Sequence, residues 1–238
     1  MIIQISSRTN EKIKHVVSLR NKKNRQEEHL FVAEGKKALE LALQSGLVRE
    51  VYTLNTLKLP KEITQYIITK EILEKISNTV TPEGVVFVAE IPEQKLLKKD
   101  KLIYLDEIQD PGNLGTIMRT ALAFDFDGVI LSKNCVDPYN DKVISASKGA
   151  IFMMPFVFDD LANYKSTNEI IVSALDNDSI SIDELKVSRP FVIVVGNEAN
   201  GVKEETKQLA DQKVIIPIKN IDSLNAAIAA AILMQKLA

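Results

Sequence analysis

The chain has 238 residues, of which 45% are hydrophobic and 26% are charged, and its formal net charge is −2. This composition is typical of a globular protein with one large domain or two small ones, and the near-neutral charge does not mark the whole chain as a nucleic-acid binder. The single cysteine, Cys135, excludes an internal disulfide. With a polar N-terminus and no apolar run of membrane length, we expect a soluble cytoplasmic protein.

Residues 1–92 show the pattern of a small α/β domain. Apolar residues recur at helical spacing in some segments and form short β-rich runs in others. The predicted helices are 11–20, 36–45 and 70–77, and the predicted strands are 30–33, 48–54, 66–69 and 85–91. A charged segment with a proline at its start leads to the second domain, so we predict a linker over 93–101 and a domain over 102–238.

The N-terminal segment carries a cluster of basic residues: Arg20, Lys22, Lys23 and Arg25. We interpret this cluster as a patch that contacts nucleic-acid phosphates, because local excess positive charge is the electrostatic footprint of such binding. A solvated helix face is the alternative, since charge alone does not separate the two. No aromatic residue is interleaved with the cluster, so base stacking is not expected there.

The second domain alternates strictly between strands and helices. The predicted strands are 102–105, 128–131, 170–174, 191–195 and 214–218, and the predicted helices are 113–124, 141–152, 202–210 and 223–237. Continuous apolar strands separated by helices indicate a parallel sheet covered on both faces. In such sheets ligands bind beyond the carboxyl ends of the strands.

Three short motifs stand at predicted strand-to-helix junctions, where a ligand site is expected. They are Asn113-x-Gly115-x-x-x-Arg119, then Gly196-x-Glu198-x-x-Gly201, then Ile216-Pro217 with Ser223-Leu224-Asn225. Pro217 removes an amide donor and fixes φ, so the last strand should not continue through it. Asp222 and Ser223 are the predicted start of the alanine-rich last helix.

These three motifs, in this order, resemble those of the SpoU/TrmH family of RNA ribose methyltransferases, which belongs to the SPOUT class. The resemblance implies S-adenosylmethionine as cofactor, 2′-O-methylation of ribosomal or transfer RNA, no metal, and a C-terminal trefoil knot. The order of elements in residues 1–92 is similar to the substrate-binding domain that precedes many SpoU catalytic domains. The phrases Phe31-Val-Ala-Glu-Gly35 and Thr81-Pro-Glu-Gly84 contribute to that second similarity.

A dinucleotide-binding fold of the ordinary kind is the alternative for the second domain. Its fingerprint places Gly-x-Gly-x-x-Gly directly after the first strand. Here the first strand is followed by Asp110-Pro-Gly-Asn-Leu-Gly, and the best glycine sites come late in the chain. The glycine spacing therefore favours the SpoU interpretation.

The cofactor site is predicted from the strand ends. Gly196 ends a buried strand, and its missing Cβ lets a flat ligand approach the backbone closely. Apolar side chains near other strand ends supply the predicted walls: Ile216, Ile218, Leu224, Ala226 and Ala174. The resemblance assigns cofactor contacts to the positions of Gly196, Ile216 and Leu224.

Four polar residues form the predicted catalytic group: Arg119, Asn113, Glu198 and Asn225. Arg119 follows Asn113 on one helix, and we expect both side chains to project toward the sheet end. The resemblance gives Arg119 a central role, and since guanidinium stays protonated we assign it a phosphate clamp and stabilisation of the developing alkoxide. Glu198 is expected to orient Asn113 or Arg119, and Asn225 to hold loop backbone or substrate oxygen.

Three positions depart from the family pattern. Ser145 and Met153 stand where many relatives carry arginine, and Ala227 lacks a hydroxyl often present there. These departures keep a second function class open, a knotted RNA-binding protein without catalysis. Retention of Asn113 and Arg119 favours the enzyme.

The last predicted helix, 223–237, is apolar nearly all round. A helix that covers one sheet face needs only an apolar stripe, so a second face must be buried. We expect a symmetric homodimer through this helix, as SpoU relatives are similarly dimeric. Cover by the N-terminal domain is the alternative.

Overall fold

A computed structural model describes residues 1–79, 81–187 and 190–238. Its strands are β1 (Ile2–Ile5), β2 (Leu30–Glu34), β3 (Val48–Thr53), β4 (Thr64–Ile68), β5 (Val85–Glu90), β6 (Lys101–Asp106), β7 (Gly128–Leu131), β8 (Phe156–Phe158), β9 (Glu169–Ser173), β10 (Ile180–Ser181), β11 (Phe191–Gly196) and β12 (Gln212–Ile215). Its α-helices are α1 (Glu11–Ser18), α2 (Lys22–Glu28), α3 (Lys36–Gln44), α4 (Lys70–Ile76), α5 (Pro111–Ala123), α6 (Asp141–Ser147), α7 (Glu204–Lys207) and α8 (Ala226–Lys236). Short 3₁₀ turns cover Ala150–Phe152 and Leu161–Tyr164.

The chain forms two compact units. One comprises Met1–Glu93 with Tyr139–Met153, and the other comprises Gln94–Pro138 with Met154–Ala238. The segment Tyr139–Met153 therefore differs from the predicted division, which placed it in the second domain. Its aromatic rings account for the difference, because Phe31 of β2 packs against Tyr139 and Phe152 with centroids 4.7 and 5.6 Å apart.

The first unit contains a five-stranded mixed sheet in the order β1-β4-β3-β5-β2. Helices α1 and α4 pack together and bury Ile13, Val16 and Ile72 in its core. Helix α2 and strand β1 were not predicted. The sequence of α2, Lys-Lys-Asn-Arg-Gln-Glu-Glu, has no apolar period to reveal a helix.

The second unit contains a seven-stranded sheet in the order β10-β12-β9-β11-β6-β7-β8. Each pair of neighbours runs parallel, which confirms the predicted parallel α/β sheet. Strands β8 and β10 were not predicted, because segments of three and two residues carry too little pattern. Helix α8 packs against α5 and β11.

Several predicted boundaries in this unit are wrong. Strand β12 ends at Ile215, before Pro217, and the predicted helix 202–210 shrinks to the single turn of α7. Helix α5 begins at Pro111, because the side chain of Asp110 caps the amide of Asn113 at 2.8 Å. Asn225, not the Asp222–Ser223 pair, caps the last helix.

The cap of α8 has a clear geometric cause. Asn225 Oδ1 accepts hydrogen bonds from the amides of Ala227 and Ile228 at 2.9 and 3.2 Å. An asparagine in this position satisfies two amides that have no partner within the helix. The knotted threading implied by the family resemblance stays a prediction. Across the described ranges, the helices are too short or too polar to cross a membrane.

Candidate cofactor and catalytic site

A cavity of about 440 Å³ opens beyond the carboxyl ends of β9, β11 and β12. These strands are neighbours in the parallel sheet, so the segments that follow them meet at one edge. The segments are 174–176 and 197–202 together with Ile216 and Ile218. The entrance to α8 completes the wall with Asp222, Ser223, Leu224 and Ala226. The volume is in the range of sites that hold small molecules and cofactors.

All six residues predicted to contact the cofactor line this one cavity: Gly196, Ile216, Ile218, Leu224, Ala226 and Ala174. They come from three separate strand ends and the start of α8. The side chains are apolar, and each is buried or half-buried. The sheet topology thus brings together residues that are up to 52 positions apart in the sequence (from Ala174 to Ala226).

The reason for glycine at position 196 differs from the predicted one. A Cβ built on Gly196 would overlap the backbone of Gly201 and Val202. The loop after β11 folds back over the strand end, and Asn197 and Gly201 exchange backbone hydrogen bonds at 3.0 and 2.8 Å. Glycine is required first by this close backbone approach, before any ligand is considered.

Three of the four predicted catalytic residues form a hydrogen-bonded chain. Asn225 Nδ2 donates to Asn113 Oδ1 at 2.9 Å, and Asn113 Nδ2 donates to Glu198 Oε1. Asn113 is buried in the first turn of α5, whereas Asn225 and Glu198 are exposed. Glu198 itself lines the cavity, so the chain connects the cavity wall with the starts of α5 and α8.

Arg119 lies apart from this chain. Its side chain is exposed and is not part of the cavity wall, while Asn113 is buried. Six residues at about 100° each place the two side chains about 120° apart around the helix, so they do not project together. The expectation that both point toward the sheet end is wrong. In residues 1–79, 81–187 and 190–238, Arg119 makes no hydrogen bond or ion pair, so its guanidinium is open to an anion.

Charged groups at the far side of the cavity are paired. Asp176 accepts from Lys207 at 2.8 Å and lies 3.0 Å from the Nζ of Lys213. Hydrogen bonds from these two lysines lower the pKa of the Asp176 carboxyl below its usual value. The carboxylate therefore stays ionised at neutral pH and connects the segment after β9 to Lys207 of α7 and Lys213 of β12.

The structure also shows a site residue that the sequence did not single out. Asn197 folds the loop after β11, since its Oδ1 accepts from the amide of Ala199 at 2.8 Å. Its Nδ2 donates to the backbone carbonyl of Glu107 at 2.9 Å. An asparagine directly after a strand-ending glycine is a turn signal, and in principle it identifies this residue.

The basic cluster of the first unit is only partly a surface patch. Arg25 is 6% exposed, and its Nη1 donates to the carbonyls of Leu19 and Arg20 at 2.9 and 2.7 Å. The side chain of Arg20 donates to the carbonyls of Lys75 and Ser77. Assigning Arg25 to phosphate contact is therefore wrong, because a buried guanidinium bound to backbone carbonyls cannot reach RNA. Lys22 and Lys23 are exposed.

Comparison with known proteins decides the family. The sequence profile described as the SpoU rRNA Methylase family matches residues 100–235, which is more than half of the chain. The chain belongs to this family. The profile of the MRM3-like substrate binding domain matches residues 10–86. The predicted family and enzyme class, an RNA methyltransferase, are confirmed.

Individual relatives agree over nearly the whole length. The chain is 32% identical, over 98% of both sequences, to the 23S rRNA (guanosine(2553)-2′-O)-methyltransferase RlmP of Bacillus subtilis. It is 25% identical to the human mitochondrial rRNA methyltransferase 3, over 88% of this chain and 67% of the relative. An rRNA methyltransferase from Sinorhizobium meliloti, solved with AdoMet bound, superposes with a TM-score of 0.90 at 26% identity over 99% of this chain and 97% of its own.

The three departures from the family pattern occupy different environments in this SpoU protein. Ser145 and Met153 are exposed, and Met153 retains 48% of its surface. Ala227 is 3% exposed at the first turn of α8, where its amide donates to Asn225. Its methyl group packs in the interior, so the missing hydroxyl leaves no polar group to satisfy.

Proposed function

We propose that this protein transfers a methyl group from S-adenosylmethionine to the 2′-hydroxyl of a ribose in ribosomal RNA. The carrying observation is that the second and third family motifs line one cavity and that the first is hydrogen-bonded to both, through Asn113. The name of the Bacillus subtilis relative supports the ribose 2′-oxygen of a 23S rRNA guanosine as the first target to examine.

The cavity suits this cofactor. An adenine ring and a methionyl chain need apolar walls, which Ile216, Ile218 and Leu224 provide. Bound S-adenosylmethionine would supply a methyl group activated by its sulfonium charge. The carboxylate of Glu198, at the cavity wall, favours a cationic ligand by Coulomb attraction.

The hydrogen-bonded chain fixes the orientation of Glu198. Asn113 can donate to this carboxylate because its own oxygen is held by Asn225. The hydrogen bond from Asn113 favours one rotamer of the Glu198 carboxylate, which is therefore preorganised toward the sulfonium charge that disappears when the methyl group is transferred. Asn113 and Asn225 thus act by positioning, and Glu198 is the member that faces the cavity.

Arg119 is assigned to the RNA. An exposed guanidinium with no protein partner in the described ranges is available for a phosphate, which it binds in a bidentate fork. Next to the target ribose it also stabilises negative charge on the attacking oxygen. Lys22 and Lys23 remain the proposed phosphate contacts of the first unit.

We further propose that the protein works as a cytoplasmic homodimer through α8. Ile228 is 51% exposed on this helix, and Ala231 and Ile232 are half-buried. These residues follow helical spacing, so they form an apolar stripe beside the buried face that holds Ala227, Ala230 and Met234. A two-fold symmetric contact buries such a stripe against its own copy.

The decisive experiment measures methyl transfer from labelled S-adenosylmethionine into ribosomal RNA isolated from cells that lack this protein. We expect one ribose methylation, mapped by mass spectrometry, that is absent with RNA from normal cells. Arg119→Ala should lower kcat at least about 100-fold with cofactor affinity unchanged within a few-fold, because the contact forms with RNA. Arg119→Lys keeps the positive charge but loses the bidentate geometry, so its kcat should lie between those of the wild type and Arg119→Ala.

The alternative function gives a different result in the same assay. A knotted RNA-binding protein without catalysis would bind ribosomal RNA tightly and transfer no methyl group. Retained binding with no transfer by the wild-type protein would therefore replace the enzyme proposal. Transfer to transfer RNA alone would keep the chemistry and change the substrate.

A further inference from the structure

The loop 197–203, between β11 and α7, is tied at both ends to the end of β6. At its start, Asn197 Nδ2 donates to the backbone carbonyl of Glu107 at 2.9 Å. At its end, the amide of Lys203 donates to Asp106 Oδ2 at 2.9 Å, and Lys203 Nζ lies 2.7 Å from Glu107 Oε1. Asp106 and Glu107 therefore hold both ends of one loop.

Glu107 is itself held in an unusual conformation. Its φ is +57°, in the left-handed region that residues other than glycine rarely adopt. Its carboxylate also accepts from Asn134 Nδ2 at 2.5 Å. Hydrogen bonds from Lys203 and Asn134 lower the pKa of the Glu107 carboxyl, so it is ionised at neutral pH. Strained backbone of this kind persists where the surroundings fix it, often at functional sites.

The tied loop forms one wall of the cofactor cavity. Glu198, Ala199 and Asn200 line the cavity, and Glu198 accepts the hydrogen bond from Asn113. Glu107 lines a separate polar groove with Tyr104 and Ser132 and is not part of the cofactor cavity wall. Its side chain therefore does not reach the cavity, and any influence on the cofactor must pass through the loop.

We propose that Glu107 is a positioning residue for the cofactor site, whose side chain acts through Lys203 to hold the loop in its binding conformation, next to the bond from Asn197 to its backbone carbonyl. The inference rests on the proposed function for the identity of the ligand. A loop that is ordered before binding spares the ligand the entropy of ordering it. A partly exposed ion pair such as this one adds little to folding stability, so the effect of Glu107 should appear mainly in binding and much less in the unfolding temperature.

The test measures binding of S-adenosylhomocysteine to the full chain by calorimetry. The variants are Glu107→Ala, Lys203→Ala, the double variant and the conservative Lys203→Arg. Lys165→Ala is the matched control. Lys165 is ion-paired to Asp211 and is 39% exposed, close to the 40% of Lys203, but it is not part of the cavity wall. Thermal unfolding and hydrogen exchange of the amides of 197–203 are followed in the same proteins.

We expect each alanine variant to weaken binding about 10-fold and the double variant to bind no more weakly than Glu107→Ala, since both single variants break the same ion pair and Glu107→Ala also removes the bond from Asn134. Lys203→Arg should restore binding to within about two-fold, the loop amides should exchange faster only in the alanine variants, and Lys165→Ala should match the wild type. Binding within two-fold of wild type in Glu107→Ala, or a loss equalled by Lys165→Ala, would overturn the positioning role. Wild-type protein that binds no S-adenosylhomocysteine would overturn the proposed function along with it.

Discussion

At the level of single residues, Gly196 shows how a backbone contact and a ligand site both depend on the absence of a Cβ atom. The loop that closes the cavity passes directly over this residue, where a Cβ would overlap Gly201 and Val202. A side chain here displaces the loop before it meets the cofactor. The position is thus functional through the shape of the protein and not through free space for the ligand.

Gly196→Ala should lower stability by about 1–3 kcal/mol, the usual range for overpacking, and should abolish measurable binding of S-adenosylhomocysteine. Gly46→Ala is the control. Gly46 has a φ of +72° and nothing within 4 Å of a built Cβ, so strain alone should cost about 1 kcal/mol and leave binding intact. Thermal unfolding and calorimetry distinguish them, and normal binding by Gly196→Ala would contradict the overlap.

Arg25 and its lysine neighbours have different roles although they adjoin in sequence. Arg25→Ala should destabilise the protein by about 2 kcal/mol, because the two backbone carbonyls lose a charged donor. Lys22→Ala with Lys23→Ala should leave unfolding unchanged and reduce the salt dependence of RNA binding by up to about 1.5 in logarithmic slope. An unchanged slope would make the two lysines a solvated face.

The site residues were predictable where the topology forces convergence. Motifs at the carboxyl ends of parallel strands must lie at one edge, so the convergence of Gly196, Ile216 and Leu224 on one cavity was predictable. Their contacts with the cofactor were implied by the family resemblance and stay a prediction. Burial of Arg25 was not predictable, because a charge pattern does not report which carbonyls a folded chain brings near. The angle between Asn113 and Arg119, in contrast, follows from their six-residue spacing on one helix. The hydrogen bond from Asn225 to Asn113 was not predictable either, because it joins residues 112 positions apart in the chain.

At the level of elements, the start of α8 serves both folding and the site. The side-chain oxygen of Asn225 accepts hydrogen bonds from the amides of Ala227 and Ile228, and its side-chain nitrogen donates to Asn113. Sequence favoured the Asp222–Ser223 pair because both are good helix starters, and only the geometry of the turn after Pro217 selects the later residue. Helix α2 escaped prediction for a related reason, since its stability comes from caps and contacts and not from an apolar period.

Replacing the side-chain nitrogen of Asn225 with oxygen separates its two roles, the cap of α8 and the contact with Asn113. Asn225→Asp keeps the accepting oxygen for the helix amides but replaces the donor to Asn113 with a second carboxylate oxygen. We expect stability close to wild type and a clear loss of methyl transfer. Asn225→Ala should in addition lose about 1 kcal/mol of stability with the cap. Full activity in Asn225→Asp would show that the contact with Asn113 has no part in catalysis.

At the level of the whole molecule, two features stand out: the division of the chain into two units and the apolar surface of α8. The segment Tyr139–Met153 belongs to the first unit although the chain enters and leaves it from the second. No local sequence pattern predicts that this segment belongs to the first unit, since its placement depends on the aromatic contacts of Phe31. The apolar character of α8, in contrast, is visible in the sequence, and the structure leaves Ile228 exposed.

The homodimer proposal predicts a particle of twice 26.5 kDa for the full chain in light scattering. Ile228→Glu should give the single-chain mass, because a buried unpaired carboxylate on both sides of a two-fold contact is costly. Glutamate in the first turn of a helix is favourable, so the variant should still fold and show unchanged thermal unfolding at low concentration. Leu97→Glu, at a leucine that is 81% exposed outside the helices, is the matched control and should keep the wild-type mass. A wild-type monomer, or a dimer that survives Ile228→Glu, would place the contact elsewhere or remove it.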